Sequence, residues 1–583
     1  MSSIQGASAD SGANPPRDWP LSTTACILAM VAAFYLLLSR VAALGPPMVF
    51  ADEYSYAAWS YWVLHREVMP GQAPLVNNWF FSLLYSLAHS RGGELIVKAR
   101  LLNVLVTALA IVPLYRIAAQ VYRPRGALLL AIAFAWAGLG GYIAFFMPES
   151  LFAALYVGLL SMLFAYLRQP RASLLVWAAV LHGLLIATKP HGLFLLPPFA
   201  LLLAVYDART RRVGWSASAL GMAGLYAAAT VASYVALESA IFGKLVLNPF
   251  GGHYGAQSSI IENGMSPALL LSKGIVALRN HFAFLATLMS LPLLLVAVSA
   301  VRNLLRPQAL EPQFAWTRPA VWFVLAGFGC FFAVTMAFSA AVAGTGMYES
   351  LDRVHGRYYE FALVPLLMYA VLVASVEWRL WSLRLRLAVA ATVLAASAAG
   401  YWWLLREVYQ YHTDFALGLS AFNDRFIRYN CMLAAWAALA VFVLRPRHAG
   451  KAILAAMVLY LAWNSTQVDK VRRGANQPGA IDRYGERIDR EGKRSGHQFA
   501  LFRQLDADAY RSAFYMIGDG TAIYLQPGQE FDCRLIEGPS TVIALHGIGV
   551  PCGLTPREDE DGISLSSTEP AKPAPAPAPA PTK

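Results

Sequence analysis

Apolar segments of about 20 residues alternate with short polar stretches through most of this 583-residue chain. A helix needs about that length to cross a membrane, so the pattern predicts about thirteen transmembrane helices. Lys189-Pro190-His191 interrupts the stretch 172–206, which we interpret as one long segment or a broken helix. The first segment also allows a cleaved signal peptide, although Arg40 interrupts a clean cleavage site. The predicted segments are 21–43, 98–119, 125–146, 150–168, 172–188, 191–206, 216–242, 281–301, 320–343, 358–376, 385–405, 427–444 and 451–465.

The overall composition narrows the class of protein. Hydrophobic residues make up 57% of the chain and charged residues only 14%, whereas soluble domains carry about 25% charged residues. So few charges could not cover the surface of a globular protein of this length. Composition therefore excludes an ordinary soluble enzyme, a disordered protein and a fibrous one, and it predicts an all-α polytopic membrane protein.

The distribution of charge predicts which loops face the cytoplasm. Alternate loops, beginning with the one around Arg116 to Arg125, contain seventeen Lys and Arg residues but only three acids. By the positive-inside rule these loops and the tail 1–20 are cytoplasmic. The first loop, 44–97, and the carboxy-terminal region are then outside. The net charge of +12 thus reflects topology, and no nucleic-acid partner is predicted.

The chain changes character after the last apolar segment. We predict a membrane domain over 21–466, a small α+β domain outside the membrane over 467–555, and a disordered Pro/Ala-rich tail over 556–583. Strand-like runs in the small domain are Ala513 to Ile517, Thr521 to Leu525, the residues around Cys533, and Val542 to Leu545. Cys533 and Cys552 either form a disulfide in an oxidising compartment or remain two buried thiols.

The first outer loop is rich in aromatic residues at helical spacing. They include Tyr54, Tyr56, Trp59, Trp62, Trp79 and Tyr85. Such spacing is typical of helices that lie in the membrane interface. The alternative is a compact loop that packs these rings together.

Three carboxylates lie at predicted membrane ends, where an ionisable group is a candidate for function. Asp52 and Glu53 follow the first helix, and Glu149 opens the fourth. Reduced solvation would raise the proton affinity of Asp52 and suit it to act as a general base. The alternatives are structural, because Asp is a common helix N-cap and Glu in a first turn complements the helix dipole.

Several cations on the outer side run against the positive-inside trend. They are Lys189, His191, Arg353, His355 and Arg357. Lys and Arg side chains are suited to a phosphate group, but they could equally pair with Glu349, Asp352 or Glu360. His182, inside an apolar helix, is predicted to be a packed core residue. A carboxylate beside cations suggests that a hydroxyl is deprotonated while a phosphate departs.

The chain has no Walker motif, HExxH or zinc-ligand spacing. No nucleotide cofactor is therefore predicted, and a requirement for a divalent metal stays open. A lipid phosphate as leaving group would account for the missing nucleotide motif.

These features together resemble the GT-C superfamily of integral-membrane glycosyltransferases, including dolichyl-phosphate-mannose protein mannosyltransferase-like enzymes and lipid A aminoarabinose transferases. The resemblance extends over about residues 20 to 470. Its motifs are Asp52-Glu53, Pro148-Glu149-Ser150, Thr188-Lys189-Pro190, and His355-Gly356-Arg357-Tyr358 before a helix that contains Pro365.

The resemblance implies a GT-C fold and inverting transfer of a sugar from a polyprenyl-phosphate-linked donor, the co-substrate, to a hydroxyl. Asp52 matches the catalytic carboxylate. The implied substrate-binding residues are Glu53, Glu149, Lys189, His191, His355, Arg357 and Tyr358. The implied partners are membrane lipid and a glycan, glycolipid or protein acceptor. The implied location is the bacterial inner membrane, with the active site and carboxy terminus in the periplasm.

Two other functions are compatible with the sequence. A transporter or flippase of lipid-linked glycans would carry charges at the membrane midplane, often in related halves of the chain. An O-antigen ligase or polymerase would act outside on diphosphate-linked donors. The candidate residues of this chain cluster near outer helix ends, which favours a transferase.

Overall fold

A computed structural model describes the chain from residue 23 to residue 567, apart from short gaps. Predictions for the tails 1–20 and 568–583 lie outside the described residues, as does much of the first loop. The gaps are 43, 45–50, 67–77, 89–91, 121, 123, 211–216, 246–265, 306–315, 345–348, 408–424, 476–477, 492–496, 505, 518–519, 537, 550 and 561.

The described residues up to Phe242 form ten α-helices. A π-helical turn, Phe134–Leu139, extends α6, and a 3₁₀ helix, Pro190–Leu195, leads into α9. The helices are α1 Thr23–Val41, α2 Ala51–His65, α3 Trp79–Tyr85, α4 Gly92–Leu109, α5 Ile111–Ala118, α6 Pro124–Ala133, α7 Glu149–Arg168, α8 Ala172–Thr188, α9 Leu196–Thr210 and α10 Ala217–Phe242.

The remaining helices and all five described strands follow. A 3₁₀ turn, Gly356–Tyr358, precedes α13. The elements are α11 Pro267–Leu305, α12 Thr317–Val342, α13 Glu360–Val376, α14 Leu383–Glu407, α15 Arg425–Leu444, α16 Ala449–Ala475, α17 Ala480–Glu491, β1 His497–Phe502, α18 Ala507–Tyr515, β2 Gly520–Tyr524, β3 Ser540–Ala544, β4 Thr555–Glu560 and β5 Ile563–Ser567.

The predicted apolar segments coincide with helices, except that the helix predicted over 125–146 ends at Leu139. Within the described ranges, seven helices are long and apolar enough to cross a membrane by length and composition, and several others are apolar but shorter. A count of thirteen spans stays a prediction. The stretch 172–206 is a broken helix, because α8 ends at Thr188 and Pro190 cannot continue its hydrogen-bond ladder. The polar stretch predicted between the segments 216–242 and 281–301 ends early, since α11 begins at Pro267.

The centre of the bundle consists of helices that are apolar on all sides. Helix α13 is buried along nearly its whole length, and α7 is buried along most of its own. A helix that is hydrophobic all round must be surrounded by other helices or by lipid. Helices α1 and α16 are joined where the Arg40 guanidinium donates to both Asp469 carboxylate oxygens at 2.7 and 2.9 Å.

The described part of the first outer loop packs its aromatic rings together. Trp59 of α2 contacts Trp79 of α3 edge to face, with ring centroids 5.6 Å apart. Phe81 and Tyr85 stack at 4.1 Å and both meet Phe146 beyond α6. The loop is therefore helical, as its spacing predicts, and its aromatic residues form a buried cluster.

The carboxy-terminal domain is a five-stranded sheet in the order β2-β1-β3-β5-β4. Strand β1 is parallel to β2 and β3, whereas β5 is antiparallel to β3 and β4. Helices α17 and α18 cover one face. Cys533 and Cys552 form a disulfide, which agrees with the first of the two alternatives for these residues.

Three predictions for this domain are wrong. The run Ala513 to Ile517 belongs mostly to α18, where the Asp506 carboxylate caps the helix by accepting from the Ala509 N–H. A short apolar run does not distinguish helix from strand. The residues around Cys533 form a 3₁₀ turn. The sheet extends past 555 to Ser567, with the acidic β4 at its edge, where charge discourages pairing with other chains.

Candidate functional site

Asp52 and Glu53 are neighbours in the first turn of α2 but point to different surroundings. The Asp52 side chain is 43% exposed, and its Oδ2 accepts from Nη2 of Arg357 at 2.9 Å. Glu53 is only 1% exposed, and its Oε1 accepts from the backbone N–H of Phe146 at 2.8 Å. Because α2 begins at Ala51, Asp52 lies inside the helix and is not its N-cap. Asp52 is therefore the accessible acid of the two.

Glu149 and Lys189 form a buried ion pair. Glu149 is the first residue of α7, and Lys189 follows the last residue of α8. Their side chains are each 4% exposed, and Nζ lies 2.9 Å from Oε1. A buried charge needs a partner of opposite sign, and each of these two residues is that partner for the other.

Arg357 and Tyr358 connect Asp52 to the Glu149–Lys189 pair. Nη2 of Arg357 donates to Asp52 and also to the Tyr358 hydroxyl at 2.8 Å. The Tyr358 ring lies 4.4 Å from Nζ of Lys189 and 4.9 Å from Cζ of Arg357. Both cations thus lie on one aromatic ring, a favourable arrangement when solvent is excluded. The His191 ring stacks on the same ring, 5.4 Å away.

His355 and Arg353 belong to a neighbouring cluster. Nε2 of His355 is 3.0 Å from the Glu349 carboxylate, and Nδ1 is 2.9 Å from the Ser339 hydroxyl. Arg353 donates to Glu349 at 2.8 Å. Arg353 and His355 therefore pair with Glu349, which is the internal salt bridging that the sequence left open as an alternative. His182 is a packed core residue, as predicted, with contacts to Tyr226 and Gly192.

Sequence reasoning missed the segment 142–147, which joins the parts of the site. The Phe146 N–H holds Glu53, and the Met147 sulfur accepts from Nη1 of Arg357 at 3.6 Å. Arg100 and Asn103 of α4 donate to carbonyls of this segment. These two polar residues lie one turn apart in an otherwise apolar helix, a signal that could have identified them.

Burial shifts the pKa values of the donors Lys189 and Tyr358 in opposite directions. Burial lowers the pKa of the Lys189 ammonium; the Glu149 carboxylate opposes this effect and the Arg357 charge adds to it. Burial raises the pKa of Tyr358 to about 12, so its hydroxyl keeps its proton at neutral pH. Burial alone would raise the pKa of Glu349, but the His355 hydrogen bond and nearby positive charges lower it.

The arrangement combines an exposed carboxylate with two cations and a phenol. Lys and Arg beside a protonated tyrosine can bind an anion such as a phosphate. The described ranges contain no group of three His, Cys, Asp or Glu side chains that could hold a metal ion.

One protein-family model matches part of the chain. Residues 72–236 match the family model of dolichyl-phosphate-mannose-protein mannosyltransferases. That range includes Glu149, Lys189 and His191 but not Asp52 or Arg357. No curated protein sequence matches the chain.

Two solved structures are similar to this chain at low sequence identity, and the first of them shares its fold. ArnT from Cupriavidus metallidurans, crystallised with undecaprenyl phosphate, has a TM-score of 0.50 and 14% identity over 94% of this chain and 98% of its own. The oligosaccharyltransferase of Archaeoglobus fulgidus has a TM-score of 0.41 and 13% identity over 89% and 67%. The resemblance to GT-C glycosyltransferases that the sequence predicts is thereby confirmed.

Proposed function

We propose that this protein is an inverting glycosyltransferase that moves a sugar from a polyprenyl-phosphate-linked donor to a hydroxyl acceptor. The observation that carries the proposal is Arg357, which donates to the exposed Asp52 carboxylate beside the buried Lys189–Glu149 pair. A base and two phosphate-binding cations therefore meet at one place. We further propose that this place faces the periplasm of a bacterial inner membrane.

Lys189, Arg357 and Tyr358 bind the donor phosphate in this proposal. The bond between the anomeric carbon and the phosphate oxygen breaks, and the oxygen leaves with the electron pair. Negative charge then increases on the phosphate, where preorganised donors stabilise it without having to reorganise. The Tyr358 phenol can donate its proton in a hydrogen bond, since its own oxygen accepts from Arg357. His191 orients the Tyr358 ring by stacking.

Asp52 takes the proton of the acceptor hydroxyl as the acceptor oxygen attacks the anomeric carbon. Its side chain is partly exposed and accepts a hydrogen bond from Arg357. An arriving phosphate competes with Asp52 for the Arg357 guanidinium. Glu53 holds the start of α2 on Phe146, and Glu149 keeps Lys189 in place.

The comparisons support a lipid phosphate as the leaving group. ArnT from Cupriavidus metallidurans was crystallised with undecaprenyl phosphate, and the matched family model is that of dolichyl-phosphate-mannose-protein mannosyltransferases. Both names describe a polyprenyl chain with one phosphate, and this chain brings two cations together at its candidate site.

Undecaprenyl phosphate tests the phosphate site directly. We expect the purified protein to bind it, and we expect Arg357→Ala to raise the dissociation constant about 10- to 100-fold. A hydrogen bond to a charged group contributes about 1.5–3 kcal/mol. Arg503→Ala, on the surface of the carboxy-terminal domain, is the matched control. Equal binding by wild type and Arg357→Ala would contradict the phosphate site.

The binding of undecaprenyl phosphate at alkaline pH tests whether the Lys189 ammonium contributes to the phosphate site. A charged ammonium binds phosphate, so its contribution is complete below the Lys189 pKa and is lost as pH rises through it. Because burial lowers that pKa below 10.5, affinity should begin to fall earlier than for an exposed lysine. Titration above pH 8 measures this. Lys189→Arg should remove the decline, since arginine keeps its charge, and an unchanged decline would exclude Lys189.

A further inference from the structure

The carboxy-terminal domain contacts the helix that carries Asp52. Helix α18 packs on α2, where the rings of Tyr510 and Tyr54 lie 6.3 Å apart. Ala513 and Phe514 of α18 are buried in the same aromatic cluster as Trp59 of α2. The soluble domain therefore meets the candidate site through a packed apolar surface.

Within this surface, Tyr510 is the residue that lies near the proposed base, Asp52. Its ring is only partly buried, so part of it is open to a ligand. Burial raises the pKa of Tyr510, and the negative charge of Asp52 raises it further. Its ring packs on that of Tyr54, two residues after Asp52 in α2. The phenol therefore lies near the proposed base, and it remains protonated at neutral pH.

Asp52 is consequently approached from two parts of the chain. Arg357, from the membrane domain, provides the positive charge that suits the donor phosphate. Tyr510, from the carboxy-terminal domain, provides a neutral hydroxyl and a flat ring. An acceptor that gives its proton to Asp52 is uncharged where it reacts, and the neutral partner suits it better than the cations do.

We propose that Tyr510 is a positioning residue that holds a saccharide acceptor against Asp52. This inference rests on the proposed glycosyltransferase function and specifies its acceptor side. Tyr510 does not exchange a proton in the reaction. Its hydroxyl donates a hydrogen bond to a second oxygen of the acceptor sugar while Asp52 takes the proton of the attacking hydroxyl.

The chemistry of the surroundings favours a saccharide over a peptide. A sugar has both an apolar face and many hydroxyl groups, and tyrosine combines an apolar ring with a polar tip. One common way to bind an extended peptide is pairing with an exposed strand edge, whereas Asp52 and Tyr510 are both presented by helices, α2 and α18.

Transfer in membranes that contain the natural donor and acceptor tests the proposal. The full-length protein is added to membranes whose polyprenyl-phosphate sugar pool is radiolabelled, and the amount of unlabelled acceptor membrane is varied. We expect Tyr510→Ala to reduce transfer at least tenfold at low acceptor and to approach the wild-type rate at high acceptor. Tyr510→Phe, which keeps the ring, should have an intermediate effect. The labelled product should resist protease.

Two measurements separate positioning from a structural role. Undecaprenyl phosphate binding by Tyr510→Ala should stay within twofold of wild type, because the phosphate ligands are unchanged. Tyr524→Ala, on strand β2 of the same domain, should leave transfer unchanged. A loss of transfer that is equal at all acceptor levels, an unchanged rate, or a protease-sensitive product would overturn the proposal. If wild-type protein itself moves no label in an Asp52-dependent manner, the proposed function fails instead.

Discussion

Replacing Asp52 with asparagine is expected to lower the rate of sugar transfer 10²- to 10⁴-fold, about 3–5 kcal/mol of barrier, because the acceptor loses its general base. The substitution keeps the shape of the side chain and its ability to accept a hydrogen bond from Arg357. Undecaprenyl phosphate should therefore still bind. Transfer from a labelled polyprenyl-phosphate sugar pool, measured with the variant in membranes, gives the rate.

Asp352→Asn is the matched control for this change. Asp352 is an exposed carboxylate five residues before Arg357, and its neutralisation should leave transfer within twofold of wild type. If Asp52→Asn retains a near-normal rate, Asp52 is not the base. If it abolishes phosphate binding as well, Asp52 acts through Arg357 and not on the acceptor.

Most residues of the candidate site were predictable because each carries a charge that is unusual for its position in the sequence. Lys189 and Arg357 are cations in loops that otherwise contain most of the acids, and Asp52 and Glu149 adjoin apolar segments. In a bundle of spanning helices, alternate loops lie on the same side. Sidedness alone therefore brings these four residues to one end of the molecule.

The pairing within that group could not be predicted. Both cations had several acids within reach, and periodicity carries no information on which helices are neighbours. The structure pairs Lys189 with Glu149 and Arg357 with Asp52, whereas Arg353 turns to Glu349. These choices follow from how α7, α8 and the turn before α13 pack against each other.

The contribution of the carboxy-terminal domain was also hidden. Tyr510 lies just before the run Ala513 to Ile517, which reads equally well as helix or strand, and its contact with α2 joins distant parts of the sequence. The late strands were missed for a different reason. An acidic edge strand such as β4 has the composition of a disordered tail, and its pairing with β5 becomes visible only in the folded sheet.

Breaking the Glu149–Lys189 pair should affect stability as strongly as Asp52→Asn affects catalysis. Glu149→Ala leaves the Lys189 ammonium buried without its carboxylate, and losing one partner of a buried pair costs about 3–5 kcal/mol. Unfolding free energy in mixed micelles, followed during a denaturant titration, measures the loss. The exposed pair of Lys98 and Glu94, with side chains 48% and 76% exposed, is the control, and Glu94→Ala should cost less than about 1 kcal/mol.

The double variant Glu149→Ala with Lys189→Met separates stability from function. Removing both charges eliminates the unpaired ammonium, so much of the lost unfolding free energy should return. Phosphate binding should not return, because the cation is absent. If the double variant is no more stable than Glu149→Ala, the destabilisation comes from lost packing around α7. If it also binds undecaprenyl phosphate normally, the pair is purely structural and Arg357 alone must hold the donor.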